Sequence, residues 1–160
     1  MRGFRRKQKL PFCIDRMRHP RFFFLAVLLF LATTAVASPL IYGEATVSEV
    51  TSIYDGDTFR CNISGYPPII GERIAVRING IDTPELRDNH PRVKALARKS
   101  KQYTVQRLRE GRHIVLRNMQ RGKYFRIVAD VYVDGGNLGQ ELIVRGLAKP
   151  YDGGKKTEWE

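Results

Sequence analysis

Two short acidic turns hold the residues of this 160-residue chain whose types and spacing suit chemistry. One is the stretch Arg77-Ile78-Asn79-Gly80-Ile81-Asp82-Thr83-Pro84-Glu85. It brings a guanidinium and two carboxylates to the end of one strand. The other, about twenty residues upstream, is Tyr54-Asp55-Gly56-Asp57-Thr58. Carboxylates crowded in this way repel one another unless a cation or a phosphate-binding arrangement shares the charge. Asp57 and Asp82 are hard oxygen ligands of the kind Ca2+ prefers, and Thr83 offers a backbone carbonyl. Turn chemistry alone accounts for an Asp-Gly pair such as Asp55-Gly56. It does not account for Asp82 and Glu85 beside Arg77. Soft-metal chemistry is disfavoured, because His90 and His113 lack ligand spacing and a single thiol, Cys61, follows the N-terminal segment.

The surrounding pattern is that of a scaffold for these turns. Ala45 to Ile53 reads as a strand with a phase slip near Glu49, which indicates a bulge. Asp55-Gly56 is a hairpin signal, and Thr58 to Ile63 returns as a second strand. Ser64 to Pro68 reads as a loop. A third strand over about 72–79 alternates through Ile74, Val76 and Ile78. Pro91 suits a helix start, the stripe Val93, Leu96, Ala97, Ser100, Thr104 and Leu108 has helical spacing, and Gly111 suits the end, which predicts a helix over 91–110. Its other positions carry Arg92, Lys94, Arg98, Lys99, Lys101, Arg107 and Arg109, either a polyanion-facing surface or a solvated face. Strands over 113–117 and 124–133 follow, separated by a turn at 120–123. In the last strand Phe125, Ile127, Ala129, Val131 and Val133 form the expected core row, with Arg126 on the opposite row. Asn137 caps a short helix through Leu138, Leu142 and Ile143 that Gly146 ends. This order, three strands, a helix and two strands, is that of a five-stranded Greek-key OB barrel, a mainly β, α+β architecture with a short C-terminal helix.

The formal net charge is +12, but eight of the 28 Lys and Arg and one of the 16 acids lie in residues 1–37. Residues 38–160 therefore carry +5, enough to favour polyanions without establishing a nucleic-acid partner. The basic start, the apolar run Phe22–Val36 and Ala35-Val36-Ala37 before Ser38 predict a cleaved signal peptide over 1–37, with Met17 an alternative start. The run is shorter than the ~20 residues of a spanning helix. The expectation is a secreted or periplasmic protein, with a membrane-anchored form as the alternative. Cys61 alternates with Phe59 and Ile63 and reads as a small buried hydrophobe. A Gly- and Lys-rich polar tail over 152–160 is expected to be loosely held, apart from Trp159.

Asp55-Gly56-Asp57-Thr58, then Arg77 with Asp82-Thr83-Pro84-Glu85, then Lys123-Tyr124-Phe125-Arg126 and the closing Gly146-Leu147-Ala148-Lys149 together resemble the staphylococcal nuclease (thermonuclease) family. The match runs from about Val47 to Tyr151 and makes 38–151 the nuclease-like domain. The resemblance implies a calcium site at Asp57, Asp82 and Thr83, with Asp55 and Glu85 close by through water. It implies Glu85 as the general base. Arg77 and Arg126 suit the stabilisation of a pentacoordinate phosphorus, since a guanidinium grips two oxygens at once. Lys123, Tyr124 and Tyr151 resemble residues that line the family's nucleotide site. The implied activity is Ca2+-dependent hydrolysis of DNA and RNA with little sequence preference, leaving 3′-phosphate ends, by a monomer with no stable protein partner. The rival readings are a non-catalytic OB-fold module that binds nucleic acid and an exported structural domain. The family usually has Gly or Gln where Phe125 stands and Asp where Gly122 stands.

Overall fold

A computed structural model of the chain describes residues 40–159. The predicted signal peptide and its cleavage site lie outside the described residues. Among the described residues no helix is long and apolar enough to cross a membrane.

Five strands close a barrel. β1 (Ala45–Ile53), β2 (Thr58–Ile63) and β3 (Ile74–Ile78) form an antiparallel meander. The two-residue β4 (Ile81–Asp82) follows β3 outside the barrel. β5 (Ile114–Arg121) pairs antiparallel with β1 and with β6 (Arg126–Val133), and β6 closes the ring parallel to β3. β7 (Gly136–Asn137) returns along β6, and β8 (Lys149–Pro150) pairs with β4. Among the described residues there are three helices: α1 (Pro68–Gly71), α2 (Pro91–Glu110) and α3 (Leu138–Val144). The OB-type α+β barrel expected from the sequence is the fold observed.

Alternation explains the core. Phe59, Cys61, Val76, Ile78, Leu116, Ala129, Val131 and Val133 point inward, and Leu138 and Leu142 of α3 plug one end. Burial pushes the Cys61 thiol up to about 12, so it is a packed hydrophobe and no nucleophile. Among the described residues the core lies within residues 45–148, so the compact unit from Pro39 onward carries a complete core of its own to fold around.

Four local expectations change. α1 occupies part of the expected loop, because Pro68 presets its first turn. The third strand begins at Ile74, since Arg73 is left-handed (φ +51) and its N–H bonds Asn62 Oδ1. The fourth strand continues to Arg121 across a bulge at Asn118 (φ +52), so inward Leu116 is followed by inward Met119, three residues on. The fifth strand starts at Arg126, not Tyr124. Tyr124 and Phe125 are left-handed turn residues, and Phe125 is 53% exposed rather than in the core row.

Candidate active site

The barrel brings the two acidic turns together. Tyr54 and Asp55 N–H both bond Thr58 O, and Asp55 Oδ1 accepts from Asp57 N–H (3.1 Å), an Asx turn that fixes the backbone of Asp57. Helix α2 seats this turn. Thr104 Oγ1 donates to Gly56 O (2.6 Å), and a Cβ on Gly56 would collide with Ser100 Oγ. The polar members of the helix stripe thus pack on the turn and not on the apolar core. Ile78 N–H bonds Asp57 O, which joins this turn to the end of β3.

Asp82 is positioned from the other side. Gly80 adopts φ +74, and the chain then runs along β8 with Asp82 opposite Lys149. Tyr151 N–H bonds Gly80 O (2.9 Å). Gly146 (φ +66) ends α3, with its N–H on Ile143 O, and directs the chain into β8. The Gly146–Lys149 motif therefore serves the site by clamping the Asp82 turn.

Asp57 and Asp82 are 2% and 4% exposed. Arg77 spans them: Nη1 reaches Asp57 Oδ1 at 2.9 Å and Nη2 reaches Asp82 Oδ1 at 3.2 Å. Asp57 also accepts from Thr58 Oγ1 (2.7 Å) and from Thr83 N–H (3.2 Å). Burial pushes the Asp57 carboxyl up and the Asp55 charge adds to this. Arg77, Thr58 and Thr83 oppose it, leaving the carboxyl at about 6. A buried acid so incompletely compensated, beside a second one, is a donor set that a hard dication fits. Among the described residues no group of three or more His, Cys, Asp or Glu is placed to hold a metal ion, and the carboxylates brought together here are the two of Asp57 and Asp82. Glu85 is exposed at the edge of this pair.

Arg77 also borders a groove of about 1060 Å3 whose walls include Arg121, Lys123, Arg126, Tyr151 and Lys155. The Arg77 guanidinium lies 5.9 Å from the Tyr151 ring. Arg126 makes no ion pair among the described residues, and its Nε is buried without a partner. An unpaired buried guanidinium N–H is costly and suits a phosphate oxygen. Tyr124 is 91% exposed and does not line this groove, unlike Lys123 and Tyr151.

The C-terminal tail is not loose. Lys156 Nζ bridges Asp82 Oδ1 (2.9 Å) and Glu85 Oε1 (3.1 Å), and Trp159 Nε1 lies 3.4 Å from Asp82 Oδ2. Burial alone would lower the Lys156 ammonium; its bonds to Asp82 and Glu85 outweigh this and raise it. Lys149 Nζ sits 4.6 Å from the centre of the Trp159 ring and donates to Glu158 O. Sequence reasoning missed Lys155, Lys156 and Arg121. The one available signal was the lysine pair after Gly153-Gly154, and nothing in its spacing ties it to Asp82.

Residues 75–159, about half of the chain, match the model of a family described as staphylococcal nuclease homologue. The chain belongs to the staphylococcal nuclease family. It is 31% identical over 108 residues to an uncharacterized endonuclease of Haemophilus influenzae, an alignment covering 68% of this chain and 54% of that relative. The chain thus spans about half the length of the curated relative it matches. Within the staphylococcal nuclease match lie Arg77, Asp82, Thr83, Glu85 and Arg126; Asp55 and Asp57 precede it.

Proposed function

We propose that this domain is a Ca2+-dependent nuclease that hydrolyses phosphodiester bonds of DNA and RNA with little sequence preference and leaves 3′-phosphate ends. The observation that carries the reading is the pairing of two buried carboxylates, bridged by Arg77, with the unpartnered Arg126 guanidinium in an adjoining cationic groove. The Haemophilus influenzae relative is described as an endonuclease, which favours the same class of reaction.

Asp57, Asp82 and the Thr83 carbonyl would hold calcium, with Asp55 and Glu85 contributing through water. Calcium, when bound, supplies charge that stabilises a phosphoryl oxygen. Glu85, released from Lys156, takes a proton from water near the phosphorus. Arg126 holds the phosphate from the groove side with parallel N–H donors, and Arg77 shares its fork between the carboxylates and the incoming anion. Lys123 and Tyr151 border the path of the chain. Tyr124, turned outward, would meet only substrate that extends past the groove. The protein acts as a monomer and is exported, secreted or periplasmic, with its processed form starting at Ser38 once residues 1–37 are removed; a membrane-anchored form is the alternative.

The test is turnover beside binding at fixed salt, since polyanion affinity shifts with salt alone. Glu85→Gln should cut turnover by about 10²- to 10⁴-fold, the range of general-base catalysis, while oligonucleotide binding survives. Arg77→Lys and Arg126→Lys should lose activity despite keeping the charge, because an ammonium lacks the planar two-donor grip. Undiminished turnover in Glu85→Gln removes Glu85 as the base.

A further inference from the structure

The cationic groove continues past Arg126. Gln120, Arg121 and Arg126 line it and also line a second cavity of about 230 Å3. The rest of that cavity is apolar, and three aromatic rings at its rim are open to water: Tyr42 is 55% exposed, Tyr66 38% and Phe125 53%. Each ring comes from a different loop, and each loop is fixed. Tyr42 N–H bonds Met119 O (2.8 Å), and Met119 N–H bonds Gly43 O, which pins Tyr42 beside the β5 bulge. Gly71, at the end of α1, packs so closely on Tyr66 that a Cβ there would meet the Tyr66 side chain. Phe125 follows Tyr124 in the left-handed region (φ +54 after φ +58), where Gly and Asn are the favoured residues. Bulky residues held in such conformations concentrate at functional sites. The Arg121 guanidinium lies 5.4 Å from the Phe125 ring and stands where the two cavities meet.

We propose that this cavity is a base-stacking subsite, which takes an unstacked nucleobase of a single strand whose phosphates pass over Arg121 and Arg126 from the groove. The proposal rests on the groove being a nucleic-acid site. The occupant is chosen by continuity and charge. A ligand leaving the groove across two arginines carries anions, and one that then enters an aromatic cleft carries planar rings. Single-stranded nucleic acid alternates these two chemistries along its length, and every base presents a π-face. A duplex keeps its bases stacked on each other and cannot fill the cleft.

The experiment uses residues 38–160 with a chelator, so that nothing is cut, and reads anisotropy of a labelled single strand, the same strand with abasic sites, and a duplex. The perturbation is Phe125→Gly, which removes the ring and relieves the backbone. This variant should melt no lower than wild type yet bind the single strand about 5- to 150-fold more weakly, the range of one base–aromatic stack. The abasic strand and the duplex should bind both proteins alike, and Phe125→Trp should bind the single strand like wild type. Equal affinity of wild type and Phe125→Gly for the single strand, or an equal loss on the abasic strand, would overturn the subsite. Sedimentation showing a wild-type dimer that Phe125→Gly dissociates would assign the patch to a second copy of the chain instead. Cleavage in calcium is read separately. No cleavage with the stacking difference intact sinks the nuclease reading alone, and cleavage with no stacking difference sinks the subsite alone.

Discussion

Calcium must displace Lys156 if Asp82 and Glu85 are to serve it, and the variant that shows this is Lys156→Ala. The ammonium contacts Asp82 Oδ1 at 2.9 Å and Glu85 Oε1 at 3.1 Å, with Lys156 46%, Glu85 57% and Asp82 6% exposed. Water screens the Glu85 arm, which belongs among exposed pairs worth about 0.2–1 kcal/mol. The Asp82 arm ends on a buried carboxylate and sits at the top of that range. Together they oppose calcium by about 1–2 kcal/mol, which corresponds to a gain of about 5- to 30-fold in affinity when the ammonium is removed. Titration calorimetry on residues 38–160 at fixed ionic strength reads this directly. Lys156→Arg, which keeps a cation there, should stay near wild type, and the gain in Lys156→Ala should shrink at ~1 M salt as the pairs are screened. Unchanged or weaker calcium binding by Lys156→Ala would show that the ammonium does not occupy the cation's place.

Two further outcomes follow from the geometry and one from the sequence. The Asp57 carboxyl is raised to about 6 in the metal-free fold from 3.8, so its contribution to stability is fully present below pH 3.8 and is lost as pH rises through about 6. Asp57→Asn, which does not ionise, should gain on metal-free wild type by up to ~3 kcal/mol between about pH 4 and about pH 8, and a pH-independent difference in denaturant melts would refute the burial argument. Gly56→Ala would drive a methyl into Ser100 and Thr83 and should cost ~1–3 kcal/mol of stability while weakening calcium binding; a neutral effect in both would mean that α2 does not seat the turn. N-terminal sequencing of exported protein should start at Ser38, and material still carrying Phe22–Val36 would favour an anchor.

Local signals carried most of the scaffold. Pro91, the Val93–Leu108 stripe and Gly111 place α2 at its observed bounds, and the alternation of Ile74, Val76 and Ile78 marks β3. The acidic turns are legible because Asp-Gly and Thr-Pro are strong backbone signals. What alternation hides is a change of backbone region. Asn118 absorbs a residue, so β5 outlasts its pattern, whereas Phe125 keeps the parity of Ile127 before the chain has entered the strand. Long-range charge pairing is equally hidden. Arg107 reads as part of a helix face turned to a polyanion or to solvent, yet it binds Glu141 through Nε at 2.7 Å and ties α2 to α3. Lys156 meets residues more than seventy positions away. Gly56 looks like an ordinary turn glycine, and its need to admit Ser100 depends on where the helix lands.

The most direct measurement is cleavage of labelled single-stranded DNA and RNA by residues 38–160, with calcium and with a chelator, followed by identification of the product ends. Both strands should be cut in calcium, neither should be cut in chelator, and the products should carry 3′-phosphates. A protein that binds single strands but never cuts them, with or without calcium, would contradict it and leave a nucleic-acid-binding module in its place.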